Sequence, residues 1–141
     1  MSVRFVLLPL FVEVLLTFGV MFGMMYFRTS TLRRGETRLA DISLREPNWP
    51  RRATQFGYAF ANQFELPVLF YVLTILVIIT RHADLLFVLL AWIFVLMRVL
   101  QAVVHVTNNN VRMRGAYYGV GALILFIMWI IYIVRIILAL P

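Results

Sequence analysis

Four apolar stretches, each about as long as a bilayer's hydrocarbon is thick, leave this chain little choice of fold. A transmembrane helix needs about 20 predominantly apolar residues. The runs at about 5–26, 57–80, 85–106 and 117–140 all meet that length. In lipid each backbone polar group has to be satisfied within its own segment, so such runs form helices. Composition agrees: 63% of the 141 residues are hydrophobic and 13% are charged, about half the charged share of a soluble domain. The expectation is an all-α integral membrane protein whose single domain, 1–141, is a four-helix transmembrane bundle. The first run is too long for a cleaved signal peptide, and no small-residue cleavage site follows it.

The connections are unequal, and their charge sets an expected orientation. The link 27–56 carries Arg28, Arg33, Arg34, Arg38, Arg45, Arg51 and Arg52 against Glu36, Asp41 and Glu46. The link 107–116 carries Arg112 and Arg114, whereas in "RHAD" Arg81 and Asp84 nearly cancel. Basic loops stay cytoplasmic, so 27–56 and 107–116 are expected in the cytoplasm and both termini outside. "EPNWP", residues 46–50, reads as a loop that re-enters the interface through Trp49. The basic residues lie between apolar spans, which favours lipid headgroups or a small anion over nucleic acid.

Charges within a bilayer are costly and point to function by default. Glu65 and Arg98 each lie roughly eight or nine residues from the cytoplasmic ends of their spans, about 12–14 Å deep, so the two are expected to face each other. Asn62 precedes Glu65 by one turn, Gln101 follows Arg98 by one turn, and His105 follows by two. Together they form a polar column that widens toward the cytoplasm. An interhelical ion pair that merely holds the bundle would account for Glu65 and Arg98 equally well. Glu13 and Arg135 read as lying near the outer face, pairing or snorkelling there as structure. At the cytoplasmic mouth, His105, Asn109, Arg112, Arg114 and Tyr117 meet Arg51, Arg52 and Asn62. Guanidinium forks suit carboxylates and phosphates, although positive-inside topology and headgroup binding explain Arg112 and Arg114 without a ligand.

Other chemistries have no foothold. Cysteine is absent, which removes disulfides and cysteine nucleophiles. Two histidines, His82 and His105, are too few and too far apart for a metal site. No glycine-rich phosphate loop, HExxH or paired catalytic carboxylates occur. Polar residues gathered at one end do not line a channel. Gly19 and Gly23, and Gly115 and Gly119, have the spacing that permits close helix contact and suggest oligomerisation.

"NQFELPVLFY" at 62–71, then Arg98 followed by "VLQAVVHVTNNNVRMRGAYY", resemble the MAPEG superfamily, membrane-associated proteins in eicosanoid and glutathione metabolism. The resemblance runs from about Arg52 to the end. It implies a homotrimer of four-helix bundles in a bacterial inner membrane. It also implies glutathione as co-substrate, held between subunits near the cytoplasmic side, and a lipophilic electrophile arriving through lipid. By that resemblance Asn62 and Glu65 hold the peptide part and Arg98 supports Glu65 or contacts ligand. Arg33 or Arg34 reaches across the subunit boundary, and Arg112, Arg114 and Tyr117 serve the thiolate end. Arg52, His105 and Asn109 complete the binding set. Arg114 and Tyr117 are the catalytic candidates, in a transferase or peroxidase. Glutathione-using members carry an arginine four residues before the asparagine; this chain has Tyr58. The alternative is a non-catalytic member that binds lipid or serves as an accessory subunit of a larger membrane complex.

Overall fold

The computed structural model describes residues 1–141: five α-helices, one short 3-10 turn and no strands. The helices are α1 (Val3–Arg33), α2 (Arg51–Asn62), α3 (Leu66–Ile79), α4 (Leu85–Val106) and α5 (Val111–Ile137), with the 3-10 turn at Leu39–Asp41. Four segments are long and apolar enough to cross a membrane: α1, α2 with α3 (Arg51–Ile79), α4 and α5. The spans are longer at the arginine-rich end than the hydropathy runs indicate. α1 continues to Arg33 and the second span starts at Arg51, so the loop shortens to 34–50.

The second span is two helices. Pro67 sits in the first turn of α3; it has no N–H, and its ring would collide with the carbonyl four residues earlier, at Gln63. Residues 63–65 therefore close as tight turns, Glu65 N–H bonding the Asn62 carbonyl at 3.3 Å. Irregular backbone at membrane depth survives only where protein buries it or a cavity lines it, and both conditions hold here.

α4 is the central span. Half of its apolar stretch is buried, against 17% for α5. Its buried stripe runs Ala91, Phe94, Val95, Arg98, Gln101, Ala102 and His105, the three- and four-residue spacing of one helix face. The upper part packs with Val6 of α1, Phe70, Leu73 and Val77 of α3, and Leu125 and Met128 of α5. Ala102 packs lower down with Val20 of α1 and Ala59 of α2. Between these two apolar clusters lies a polar layer.

Of the paired glycines, only Gly23 meets a neighbour: a Cβ there would strike the Phe56 ring. That ring is stacked on Phe27 with centroids 5.1 Å apart, so it has little room to yield. Gly23→Ala is expected to lower stability by about 1–3 kcal/mol through overpacking, while Gly19→Ala, with open space around it, is expected to be near neutral. Paired thermal unfolding curves in one detergent separate the two.

Trp49, expected at the membrane interface, is half-buried beneath the Arg28 guanidinium, 5.0 Å from the ring centroid. In the opposite turn, Asp84 caps α4 through the Phe87 N–H at 2.9 Å and pairs with Arg135 at 2.8 Å. Arg135 is thus paired with its own end of the bundle, and not with Glu13.

Candidate functional site

At the arginine-rich end, α2 is tied to the end of α4. The last carbonyls of a helix lack intrahelical donors, and two α2 side chains supply them. Arg52 Nη1 donates to the Val106 carbonyl at 2.8 Å, and Gln55 Nε2 donates to the Thr107 carbonyl at 3.1 Å. The asparagine run then turns the chain. Asn109 adopts φ 55°, a left-handed conformation that asparagine tolerates better than most residues. Asn110 Oδ1 accepts the Arg112 and Met113 amides at 3.1 and 3.2 Å, capping α5.

This local chemistry sets Arg114 one turn into α5, where its Nη1 donates to His105 Nε2 at 2.8 Å. Arginine has donors only, so Nε2 is the acceptor, the imidazole is neutral and its proton sits on Nδ1. Arg114 stands between two clefts. One, of about 230 Å³, is lined by Arg51, Gln55, Tyr58, His105, Asn109 and Arg114, among others. The other, of about 340 Å³, is lined by Asn62, Glu65, Gln101, Arg114 and Tyr118 with Val111 and Gly115. A third space lies beside α3 and α5. It is a groove of about 400 Å³ lined only by apolar residues, including Leu66 and Leu69 of α3 and Ala122, Phe126 and Trp129 of α5. Leu66 follows Glu65 directly, and Ala122 lies one turn beyond Tyr118, so the groove neighbours the second cleft along α3 and α5.

Four helices with an arginine-fringed cleft at one end agree in architecture with the family that the motifs resemble, and the profile of the MAPEG family matches residues 6–134. The chain belongs to the MAPEG family. It is a multi-pass integral membrane protein of the glutathione and eicosanoid metabolism type. No curated protein and no solved structure matches it.

Within this MAPEG bundle the sequence-predicted residues divide. Asn62, Glu65, His105, Asn109 and Arg114 line the two clefts. Arg52 caps α4, with its guanidinium 5.9 Å from the centroid of the Phe27 ring. Arg33 and Arg34 are exposed at the end of α1, outside both clefts; Arg34 reaches Glu36 at 4.0 Å. Arg112 is exposed and Tyr117 half-buried, and neither lines these clefts; Tyr118 does. The same turn of α5 thus presents the second tyrosine of "AYY", where sequence reasoning chose the first.

The expected Glu65–Arg98 ion pair does not form. The break before α3 turns Glu65 outward, where it is exposed, and no ion pair involves it. Arg98, buried completely, donates from Nη2 to the Asn62 carbonyl at 2.9 Å and lies 5.7 Å from the Tyr118 ring centroid. That carbonyl ends α2, and Arg98 adds a second donor beside the Glu65 N–H that it already accepts. Glu13, expected near the outer face, is also completely buried. It lies on the inward face of α1, and neither of its carboxyl oxygens has a hydrogen-bond partner. Its signal was in the sequence: Val6, Pro9, Glu13 and Val20 share one buried face of α1.

Proposed function

We propose that this protein is a membrane-bound glutathione-dependent transferase or peroxidase acting on lipophilic electrophiles. One observation carries the reading: two polar clefts share Arg114, and an all-apolar groove lies next to the second of them along α3 and α5. Such a site suits a reaction between a water-soluble anionic thiol and a substrate dissolved in lipid. Arg51, Arg114 and Asn109 offer donors for the tripeptide's carboxylates. A guanidinium near the sulfur favours the thiolate, the nucleophilic form. The thiolate attacks the electrophilic carbon and a sulfur–carbon bond forms; in a substitution the carbon–leaving-group bond breaks and the leaving group departs with its electron pair, and in a conjugate addition the carbon–carbon π bond opens and the resulting anion takes up a proton. With a hydroperoxide the sulfur is oxidised, the O–O bond breaks, and a second thiol releases the disulfide.

Arg33 and Arg34 enter this reading through a homotrimer. They lie outside their own chain's clefts, and a neighbouring subunit would receive them. In the same frame the arginine-rich end faces the cytoplasm of a bacterium, where glutathione is supplied.

A second reading, a non-catalytic lipid-binding member or accessory subunit, draws on Tyr58. It lines the first cleft at the position where glutathione users carry an arginine, and it offers one donor in place of a fork. Arg51, two turns earlier on the same face and lining the same cleft, offsets that loss in part. Ultraviolet titration of the purified protein with glutathione at neutral pH separates the readings. A saturable thiolate absorbance is expected. Its absence at millimolar glutathione, from a folded oligomer, overturns the enzyme reading and leaves the lipid-binding one.

A further inference from the structure

We propose that His105 is a positioning residue for Arg114: its neutral imidazole anchors that guanidinium between the two clefts by a hydrogen bond and leaves the positive charge unneutralised for an anionic ligand. The anchoring stands on the chain's own geometry. The benefit to a thiolate rests on the glutathione reading above.

Arginine has among the largest rotamer entropies of any side chain, and Arg114 is only half-buried. A single hydrogen bond within the chain restrains it, from Nη1 to His105 Nε2 at 2.8 Å, and no ion pair does. The acceptor is itself fixed. His105 is 2% exposed and stands at the end of α4. The carbonyls of the next two residues, Val106 and Thr107, are held by Arg52 and Gln55 at 2.8 and 3.1 Å. The grip of α2 on α4 is thereby passed to Arg114. The chemistry of the acceptor matters as much as its place. The strong partner for a guanidinium is a carboxylate, which would cancel the charge that the clefts present. Imidazole accepts with a lone pair and brings no charge of its own. Glu65 is the one carboxylate lining either cleft, and it forms no ion pair with Arg114. The tether spends one of five N–H donors, so the rest of the fork stays available. Because arginine can only donate, the bond demands a ring protonated at Nδ1. Nδ1 has no partner within the chain, so the tautomer is selected from the Arg114 side and reports that bond directly.

The first test needs neither a ligand nor a change in the site. Nitrogen NMR of the protein made with isotopically labelled histidine, in detergent, resolves the two imidazoles of the chain, and His82→Gln assigns them. At neutral pH His105 is expected as a neutral ring with its proton on Nδ1. A proton on Nε2, in either the other tautomer or an imidazolium, overturns the proposal, because that nitrogen could not accept from Arg114. The second test labels arginines with a dicarbonyl reagent. Peptide mass spectrometry reads the yield at Arg114, with exposed Arg112 as the internal reference. Labelling of Arg114 is expected to rise about tenfold in His105→Leu, where the bond is lost. In His105→Gln it is expected to stay near the native level, since Oε1 lies about as far from the backbone as Nε2 and accepts. Unchanged labelling in His105→Leu overturns the tether, and so does an equal rise in His105→Gln. If His105→Leu does not fold, the tautomer and the variants below decide the matter without it.

The third test separates charge from bulk. Glutamine and glutamate are close in size and both accept, but glutamate, ionised beside a guanidinium, cancels its charge. At saturating glutathione, His105→Gln is expected to keep most of the thiolate absorbance of the native protein. His105→Glu is expected to hold a thiolate fraction about tenfold lower at neutral pH, although Arg114 stays protected from the dicarbonyl. Equal absorbance in the two variants overturns the part played by the neutral ring. If the native protein gives no thiolate signal at millimolar glutathione while the tautomer and the labelling pattern hold, the glutathione reading fails and the His105 tether stands.

Discussion

An Arg98→Leu chain is expected to lose about 1.5–3 kcal/mol of stability, the contribution of a hydrogen bond from a charged group. The Asn62 carbonyl keeps the Glu65 N–H but loses its guanidinium donor at the point where the second span is interrupted, and the completely buried Arg98 side chain leaves a gap in the polar layer. Thermal unfolding in detergent is expected to show a markedly lower midpoint or no cooperative transition. An Arg98→Leu chain as stable as the native one would mean that the polar layer carries no structural weight.

The second large effect is expected at Arg114. Arg114→Ala removes the only guanidinium common to both clefts and its bond to His105. A hydrogen bond to a charged group contributes about 1.5–3 kcal/mol, so glutathione is expected to bind about 10- to 150-fold more weakly, and the thiolate absorbance to vanish with it. The side chain is only half-buried, so the fold is expected to hold, which far-ultraviolet circular dichroism verifies. Arg112→Ala is the matching control. It removes an equal charge from the same turn, but Arg112 is exposed and lines neither cleft, and less than a twofold change is expected. Equal losses in both variants would reduce the arginines' role to surface charge.

These two residues also show what could be read in advance. Four spans follow from apolar length alone, because lipid penalises any other backbone arrangement. The cleft at the basic end was legible because Arg114, His105 and Asn109 stand close in sequence and a tight turn keeps them close in space. The Arg98 neighbourhood was not. Counting residues from the ends of spans two and three assumed one straight helix through Pro67, and the break there turns Glu65 away from Arg98. Glu13 escaped for a different reason. α1 has 31 residues, about 46 Å of helix against about 30 Å of hydrocarbon, so distance from its end is a poor measure of depth in the bundle. Periodicity was the better guide, since Glu13 shares a face with Pro9 and Val20. The choice between Tyr117 and Tyr118 depended on the rotation of α5, which its nearly uniform apolar surface leaves open to sequence.

The interruption at 63–65 has a consequence for how the protein reaches the membrane. α2 has 12 residues and α3 has 14, each well short of the roughly 20 that hold a helix across hydrocarbon on their own. The second span is therefore weakly committed as it leaves the insertion machinery, with an exposed carboxylate at its middle and an Asn62 carbonyl held only by the Glu65 N–H. The carbonyl gains its second donor only when α4 arrives with Arg98. Biogenesis of this bundle thus has an order written into it. The second span waits for the third before it can settle, and a chain truncated ahead of α4 is expected to be recognised by quality-control proteases as unfinished.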